Sequence, residues 1–326
     1  MKYNYEWNLK DANFTKDQGK VFSCFACGGG STMGYKLAGF DVIGFNEIDP
    51  KMAECYISNH NPRYRFIEPI QEFKNRDDLP QELYELDILD GSPPCSSFSM
   101  AGNREKDWGK EKKFREGQAE QILDTLFFDF IELAEKLKPK IVVAENVKGL
   151  LMGEAKKYVT EILKEFDKAG YAVTYKLLNA AKMGVPQKRE RVFFIGIRKD
   201  LKYDCADMFG NEPLIDLEFN EKEIAINKFY KTIQKKESQN YSDNRFGDII
   251  LNTNKPSNTI TTINRYWIDE NNLIDDYTIK NIGSYPQDYN FLNNEPKYLI
   301  GMSVPPLMTA QIADRINDQI LKRNKK

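Results

Sequence analysis

The chain has 326 residues, 41% hydrophobic and 29% charged, with 47 Lys and Arg against 49 Asp and Glu for a net charge of −2. That length and mix exclude a disordered tract and a membrane-embedded protein, and leave material for one large core plus a smaller unit. The near-zero balance excludes a uniformly basic surface, so nucleic-acid binding would rest on a local basic face such as residues 104–115 or 228–236.

Residues 1–20 are polar and mixed in charge, with no signal-peptide stretch, and no later run reaches membrane-spanning length, so a cytoplasmic setting is expected. Residues 21–25 predict a short buried strand that passes through glycines into a helix over 32–38. Residues 41–45 predict a second strand and 49–58 a second helix, with Asp49 as its N-cap. Apolar runs at 86–90 and 141–144 predict two more strands, separated by a helix over about 118–137. A helix over 155–169 and strands over 172–178 and 192–197 continue the alternation, which predicts an α/β fold with a parallel-rich, doubly wound sheet. From 200 to 294 Asn, Asp, Lys and Tyr dominate and the rhythm stops, which predicts a second, smaller domain; helical character returns over 305–321.

Five scattered cysteines fit a reducing compartment rather than a disulfide framework. Cys24 and Cys27 have CxxC spacing, but a second pair is missing and His60 is the single histidine, so no metal site is expected.

The run Asp90-Gly91-Ser92-Pro93-Pro94-Cys95-Ser96-Ser97-Phe98-Ser99 carries the most information. Two prolines fix φ and remove backbone donors, so a stiff turn presents the Cys95 thiol in one direction, as a nucleophile requires. A lone cysteine is more often a small buried residue; its company decides the matter here. Phe25-Ala26-Cys27-Gly28-Gly29-Gly30 is followed by Gly34 and Ala38-Gly39-Phe40, then by Asn46-Glu47-Ile48-Asp49. Beyond Cys95 stand Ala144-Glu145-Asn146-Val147 and Gly184-Val185-Pro186-Gln187-Lys188-Arg189-Glu190-Arg191-Val192. In this order and spacing the set resembles the motifs of the DNA (cytosine-5)-methyltransferases over most of 21–198, and again near the C-terminus.

The glycine-rich turn alone suits a dinucleotide, a nucleotide or S-adenosylmethionine. Glu47 at the end of the second strand, combined with the downstream nucleophile, favours the last. The resemblance implies a Rossmann-like, class I S-adenosylmethionine-dependent methyltransferase domain, built from residues 1–198 and about 305–326, with a target-recognition domain over about 199–304. In the cofactor site it implies that Phe25 and Ile48 meet the adenine and Glu47 the ribose. Cys27, Gly28 and Gly30 would line the methionine part, with Ile70, Ser92, Pro94, Leu126, Ser303 and Val304 adding contacts. Cys95 would attack carbon 6 of a cytosine extruded from the duplex, while Glu145, protonated, meets N3. Arg191 would hold O2 and Arg189 would brace the nucleophile loop. The implied partner is double-stranded DNA, met by a monomer, with a cognate restriction endonuclease acting separately. Residues 99–118, which carry Trp108, would close over the nucleic acid, and target choice would fall between 200 and about 254.

The sequence departs from the resembled pattern at Ser96, where a glutamine often follows the nucleophile, and in four further places. Cys27 replaces a usual glycine, Ser23 a frequent aspartate, Pro69 the aspartate of an Asp-Ile pair, and Met302 an asparagine in Gly301-Met302-Ser303-Val304-Pro305. Three other readings stand beside the main one. An RNA-directed enzyme lacks its Cys-Phe-Thr signature here. A nicotinamide-dependent oxidoreductase leaves Cys95, Glu145 and the 187–191 cluster without a role. A silent DNA-binding module leaves Cys95 and Glu145 unexplained.

Overall fold

The computed structural model describes residues 2–94, 125–153, 155–201, 214–234 and 247–322, with the backbone of two short strands at 111–112 and 121–122. Cys95, Ser96 and Trp108 lie outside the described residues, as does the expected closing loop apart from 111–112.

In chain order, β1 (Lys20–Cys24), α1 (Gly30–Leu37), β2 (Asp41–Asn46), α2 (Pro50–His60), β3 (Tyr64–Phe66), α3 (Ile70–Asn75) and β4 (Ile88–Gly91) come first. The strand pair β5 (Glu111–Lys112) and β6 (Gln121–Ile122) precedes α4 (Leu126–Leu137), β7 (Ile141–Val147), α5 (Ala155–Lys168), β8 (Tyr171–Asn179), β9 (Gln187–Lys188) and β10 (Glu190–Arg198). Seven strands form one sheet in the order β3-β2-β1-β4-β7-β10-β8. All neighbours from β3 to β7 run parallel, and β10 lies antiparallel between β7 and β8. The chain winds outward from β1 to β3 and then reverses through β4, so a crevice opens beyond the ends of β1 and β4.

Both faces are covered, as near-continuous apolar parallel strands require. Phe73, Phe127, Phe130, Ile162 and Phe166 from α3, α4 and α5 fill one side. Tyr35 of α1 fills the other, together with Leu307, Met308, Ile312 and Ile316 of the C-terminal helix. Asp49 caps α2 as expected: its carboxylate accepts from the Lys51 and Met52 amides at 2.9 and 3.4 Å. The helix expected from 118 instead starts at Leu126, and 121–122 pair as a strand with 111–112. Within α4 the buried stripe runs through Leu126, Phe127, Phe130, Ile131, Ala134 and Leu137.

The second unit holds β11 (Thr232–Gln234), β12 (Asp248–Ile250), β13 (Ser257–Asn258), β14 (Arg265–Asp269), β15 (Asn272–Ile274), α6 (Asp276–Ile282) and α7 (Pro296–Met302). Four of its strands form a sheet in the order β11-β15-β14-β12, whereas β13 pairs with β9 of the first unit. The last helix, α8 (Pro306–Ile316), returns to pack on α1 within the second-face core. Ile215 and Leu217 also join that core, so the segment just after β10 stays with the first unit. The N-terminal segment straps both units: Tyr3 donates to Asp314 of α8 at 2.9 Å, and the Trp7 indole donates to the Ser284 carbonyl at 2.9 Å. Among the described residues no helix is long and apolar enough to cross a membrane.

Candidate active site

The loop after β1 is unusual in its backbone. Phe25 and Cys27 both take positive φ, +52° and +48°, a region that costs an L-residue roughly 1–2 kcal/mol. The glycine usual in the resembled family would adopt this conformation without strain, so Cys27 is a departure with a cost. Its side chain is held by sulfur contacts, with Met52 Sδ at 3.6 Å and Ser303 Oγ at 3.8 Å. Burial, and after it the Glu47 charge, push the Cys27 thiol up to about 12, so it stays protonated and is no nucleophile. Cys24 points into the first-face core while Cys27 packs toward the second unit, so the two thiols of the CxxC spacing serve different cores.

Gly30 is required by close approach to backbone, and Gly28 is approached closely by side-chain ends. A Cβ on Gly28 would stand 2.6 Å from Leu299 Cδ2 and 2.7 Å from the Tyr289 hydroxyl. A Cβ on Gly30 would strike the Val304 carbonyl oxygen and come within 2.9 Å of Ser303 Cβ. The glycine loop and the Ser303-Val304 segment, 273 residues apart from Gly30 to Ser303, are thus brought together. Gly30→Ala is expected to destabilise the fold by about 1–3 kcal/mol, seen as a lower urea midpoint, because the obstructing carbonyl is backbone. An unchanged midpoint would mean that the 303–304 segment yields freely.

Glu47 is buried just past β2, with one carboxylate oxygen accepting from the Cys27 amide at 2.7 Å and the other from the Asp49 amide at 2.9 Å. Burial raises its pKa, and these amide bonds oppose the rise. Ile48 beside it is half-buried, as is Phe25, whereas Ile70 and Leu126 are enclosed in the first-face core. His60 stands behind the loop with Nε2 3.4 Å from the Gly28 carbonyl oxygen, and burial drives its pKa well down, leaving a neutral ring.

Ser92 and Pro94 are half-buried just past β4, immediately before Cys95, which lies outside the described residues. That platform is fixed from the neighbouring strand: the Asn146 amide donates to the Pro93 carbonyl oxygen at 3.1 Å. Next to Asn146, the buried carboxylate of Glu145 pairs with Arg191, Nε to Oε1 2.9 Å. Antiparallel register explains the meeting, since Glu145 lies opposite Phe193 and Arg191 opposite Val147. Burial lowers the Arg191 pKa and the Glu145 charge opposes that. Arg189 is almost wholly buried and donates to the Ile260 and Gly301 carbonyl oxygens at 3.3 and 3.0 Å. Burial, then Arg191, lower its pKa to about 9. Its described partners belong to the second unit and α7, and the loop it is expected to brace lies outside the described residues from 95 onward. Gln187 acts with it, donating to the Ile282 carbonyl oxygen and accepting from the Ile260 amide.

Two residues of this site lie inside the quoted motifs but are given no role by them. Asn146 is one. The other is Asp90, an acid inside the apolar strand β4 and only 4% exposed. Its Oδ2 accepts from the hydroxyls of Ser23 at 2.9 Å and Ser31 at 2.7 Å, and its Oδ1 from the Tyr35 hydroxyl at 3.1 Å. Ser23 and Asp90 are opposite one another in the β1–β4 ladder, so the carboxylate absent from position 23 stands one strand away. Burial pushes the Asp90 carboxyl up to about 6 from an ordinary 3.8, against the opposing hydroxyl bonds. The folded state therefore binds this proton more tightly than the unfolded chain does. Stability from this group is highest below pH 4, falls as pH rises from 4 to 6, and is lower by about 3 kcal/mol above that window. Urea denaturation of wild type and Asp90→Asn across pH 4–7.5 should show the difference between them shrinking or reversing as pH rises; a pH-independent difference would contradict the assignment.

A family model described as C-5 cytosine-specific DNA methylase matches residues 19–281. The Type II methyltransferase M.FnuDI of Fusobacterium nucleatum is 39% identical over 182 residues, which cover 56% of this chain and 48% of the relative. M1.HphI of Haemophilus parahaemolyticus, also a Type II methyltransferase, is 28% identical over 327 residues, covering 90% of this chain and 85% of its own. The chain spans about half the length of several curated relatives it matches, M.FnuDI among them. A triple mutant of Spodoptera frugiperda DNMT2 has the same fold, with a TM-score of 0.64 at 16% identity over 90% of this chain and 98% of that one.

Proposed function

The chain belongs to the C-5 cytosine-specific DNA methylases, and from that membership we propose that it transfers the methyl group of S-adenosylmethionine to carbon 5 of a cytosine in double-stranded DNA. The observation that carries the reading is the buried Glu145–Arg191 pair, set beside the Asn146 side-chain amide that holds the Pro93 carbonyl oxygen.

The crevice suits the methyl donor in three respects. Positive φ at Phe25, Cys27 and Gly29 makes 25–29 a tight turn, the buried Glu47 carboxylate stands against it for a diol, and half-buried Phe25 and Ile48 offer apolar surface for a base. Phe25, Cys27, Gly28, Gly30, Glu47, Ile48, Ser92, Pro94, Ser303 and Val304 would hold it; Ile70 and Leu126 support it from the core. When bound, S-adenosylmethionine supplies an electrophilic methyl group on a sulfonium.

This chain's residues act on the base. Carbon 5 of cytosine is a weak nucleophile, and the Cys95 thiolate activates it by bonding to carbon 6. Electron density then moves toward N3, where Glu145 as an acid delivers a proton, and Arg191 donates to O2. Carbon 5 of the resulting enamine takes the methyl group, a base removes the carbon 5 proton, and the thiolate is expelled as N3 returns its proton to Glu145 and the ring regains aromaticity. Reaching carbon 6 requires that the base leave the stack. Arg189 and Gln187 fasten the second unit, which we assign to target recognition, onto the catalytic strands. We further assign the chain to modification of a specific DNA sequence, acting as a monomer, with any cognate endonuclease a separate protein.

Bisulfite or nanopore sequencing of DNA from cells expressing the chain tests this directly. The expected result is 5-methylcytosine confined to one short sequence context. Unmodified DNA from cells with soluble protein, or modification confined to tRNA in a matched assay, would overturn the proposal.

A further inference from the structure

We propose that Asp90 makes this site prefer a positively charged sulfonium ligand to its neutral thioether product. The inference rests on the methyl-donor reading and deepens it by assigning a specificity-determining residue that no catalytic step uses.

Asp90 lies at the switch point of the sheet, opposite Ser23 on β1 and Val143 on β7, and two residues before Ser92. Its three hydrogen-bond donors are neutral hydroxyls, two of them from α1 immediately after the glycine loop. Among the described residues no ion pair reaches it. Hydroxyls orient a carboxylate and lower its desolvation cost, but they do not cancel its charge. An uncancelled buried anion under the floor of a crevice projects its field into that crevice, because the surrounding core screens weakly.

The reaction changes the ligand by one unit of charge. S-adenosylmethionine carries a cationic sulfur, and S-adenosylhomocysteine a neutral one of nearly the same shape. Hydrogen bonds and packing cannot tell the two apart by much, whereas a fixed negative charge can. An anion beneath the loop strengthens binding of the donor and leaves that of the product almost unchanged, so product gives way to fresh donor.

Other groups facing Asp90 bear on its charge. Cys24 on β1, Tyr35 on α1 and Tyr56 on α2 are neutral around it, and Glu145 on β7 is the acidic group that raises its proton affinity. With a carboxyl near 6, Asp90 is ionised at pH 7.5 and increasingly neutral at pH 5.5.

The test is calorimetric titration of the full chain, without DNA, with S-adenosylmethionine and S-adenosylhomocysteine at pH 7.5. Asp90→Asn keeps the shape and removes the charge. It should weaken S-adenosylmethionine by about tenfold and S-adenosylhomocysteine by less than about twofold. The exchange variant Ser23→Asp/Asp90→Ser returns a carboxylate to the same strand pair and should recover much of the preference. In wild type the preference should shrink at pH 5.5, and in Asp90→Asn it should not. Equal weakening of both ligands, the signature of a purely structural role, would overturn the inference, as would no change in either. Wild-type protein that binds neither ligand would instead overturn the methyl-donor reading itself.

Discussion

Cys95→Ser is expected to reduce methyl transfer by at least about 10⁴-fold while leaving S-adenosylmethionine binding largely intact. A serine hydroxyl is far less acidic than a thiol and supplies almost no anion near neutral pH, so carbon 6 is not attacked and carbon 5 stays unreactive. The cofactor should be unaffected because its crevice is built from other parts: the 25–30 loop, Glu47 and the Ser303-Val304 segment. The turn itself is held by groups that the substitution spares, with Asp90 anchored by three hydroxyls and the Pro93 carbonyl oxygen by Asn146. A duplex carrying 5-fluorocytosine in the enzyme's own site offers a complementary measurement. The fluorine on carbon 5 cannot be removed as a proton is, so expulsion of Cys95 fails and a denaturation-resistant adduct should accumulate with wild type and be missing with Cys95→Ser. Comparable transfer by the serine variant would end the covalent mechanism, and so would an active wild type that never traps the fluorinated duplex.

What could be read in the sequence, and what could not, follows from the range of each interaction. Strands such as 21–25 and 141–144 announce themselves through runs of apolar residues, and the Asp49 cap through its place before Pro50, because both are local effects. The pairing of Glu145 with Arg191 was legible only as two members of a motif set; their meeting depends on antiparallel register between β7 and β10, which no local pattern encodes. The same holds for Gly30. Its place in a glycine run signals a turn, but the need for glycine comes from the Val304 carbonyl oxygen at the far end of the chain. Asp90 shows a missed signal: an acid following Ile88 and Leu89 in a buried strand has to find donors, and here they come from β1 and α1. The start of α4 was not legible because Ala119, Ile122 and Leu123 continue the helical spacing of Leu126 and Phe127, whereas 121–122 pair as a strand with 111–112, a partner that no local pattern announces.

Glu145 and Arg191 allow catalysis and stability to be separated, because they form one buried ion pair with unequal duties. Glu145→Gln retains the side-chain volume and an oxygen for Arg191 Nε, and Arg191 also keeps its bond to the Glu190 carbonyl oxygen at 2.8 Å. It removes the acid that meets N3, so transfer should fall by about 10²–10⁴-fold while the thermal midpoint changes little. Arg191→Met behaves differently: it strands a buried carboxylate without its partner, which should cost about 3–5 kcal/mol of stability as well as the contact to O2. Combining the two substitutions removes the stranded charge. The double variant should therefore recover much of the stability lost in Arg191→Met yet stay inactive, giving a coupling in the unfolding cycle that the activity data lack. Unfolding midpoints and single-turnover transfer for the four proteins complete the cycle. Near-wild-type turnover by Glu145→Gln would remove Glu145 from the mechanism, and additive stabilities would show that the 2.9 Å pair contributes nothing specific to the fold.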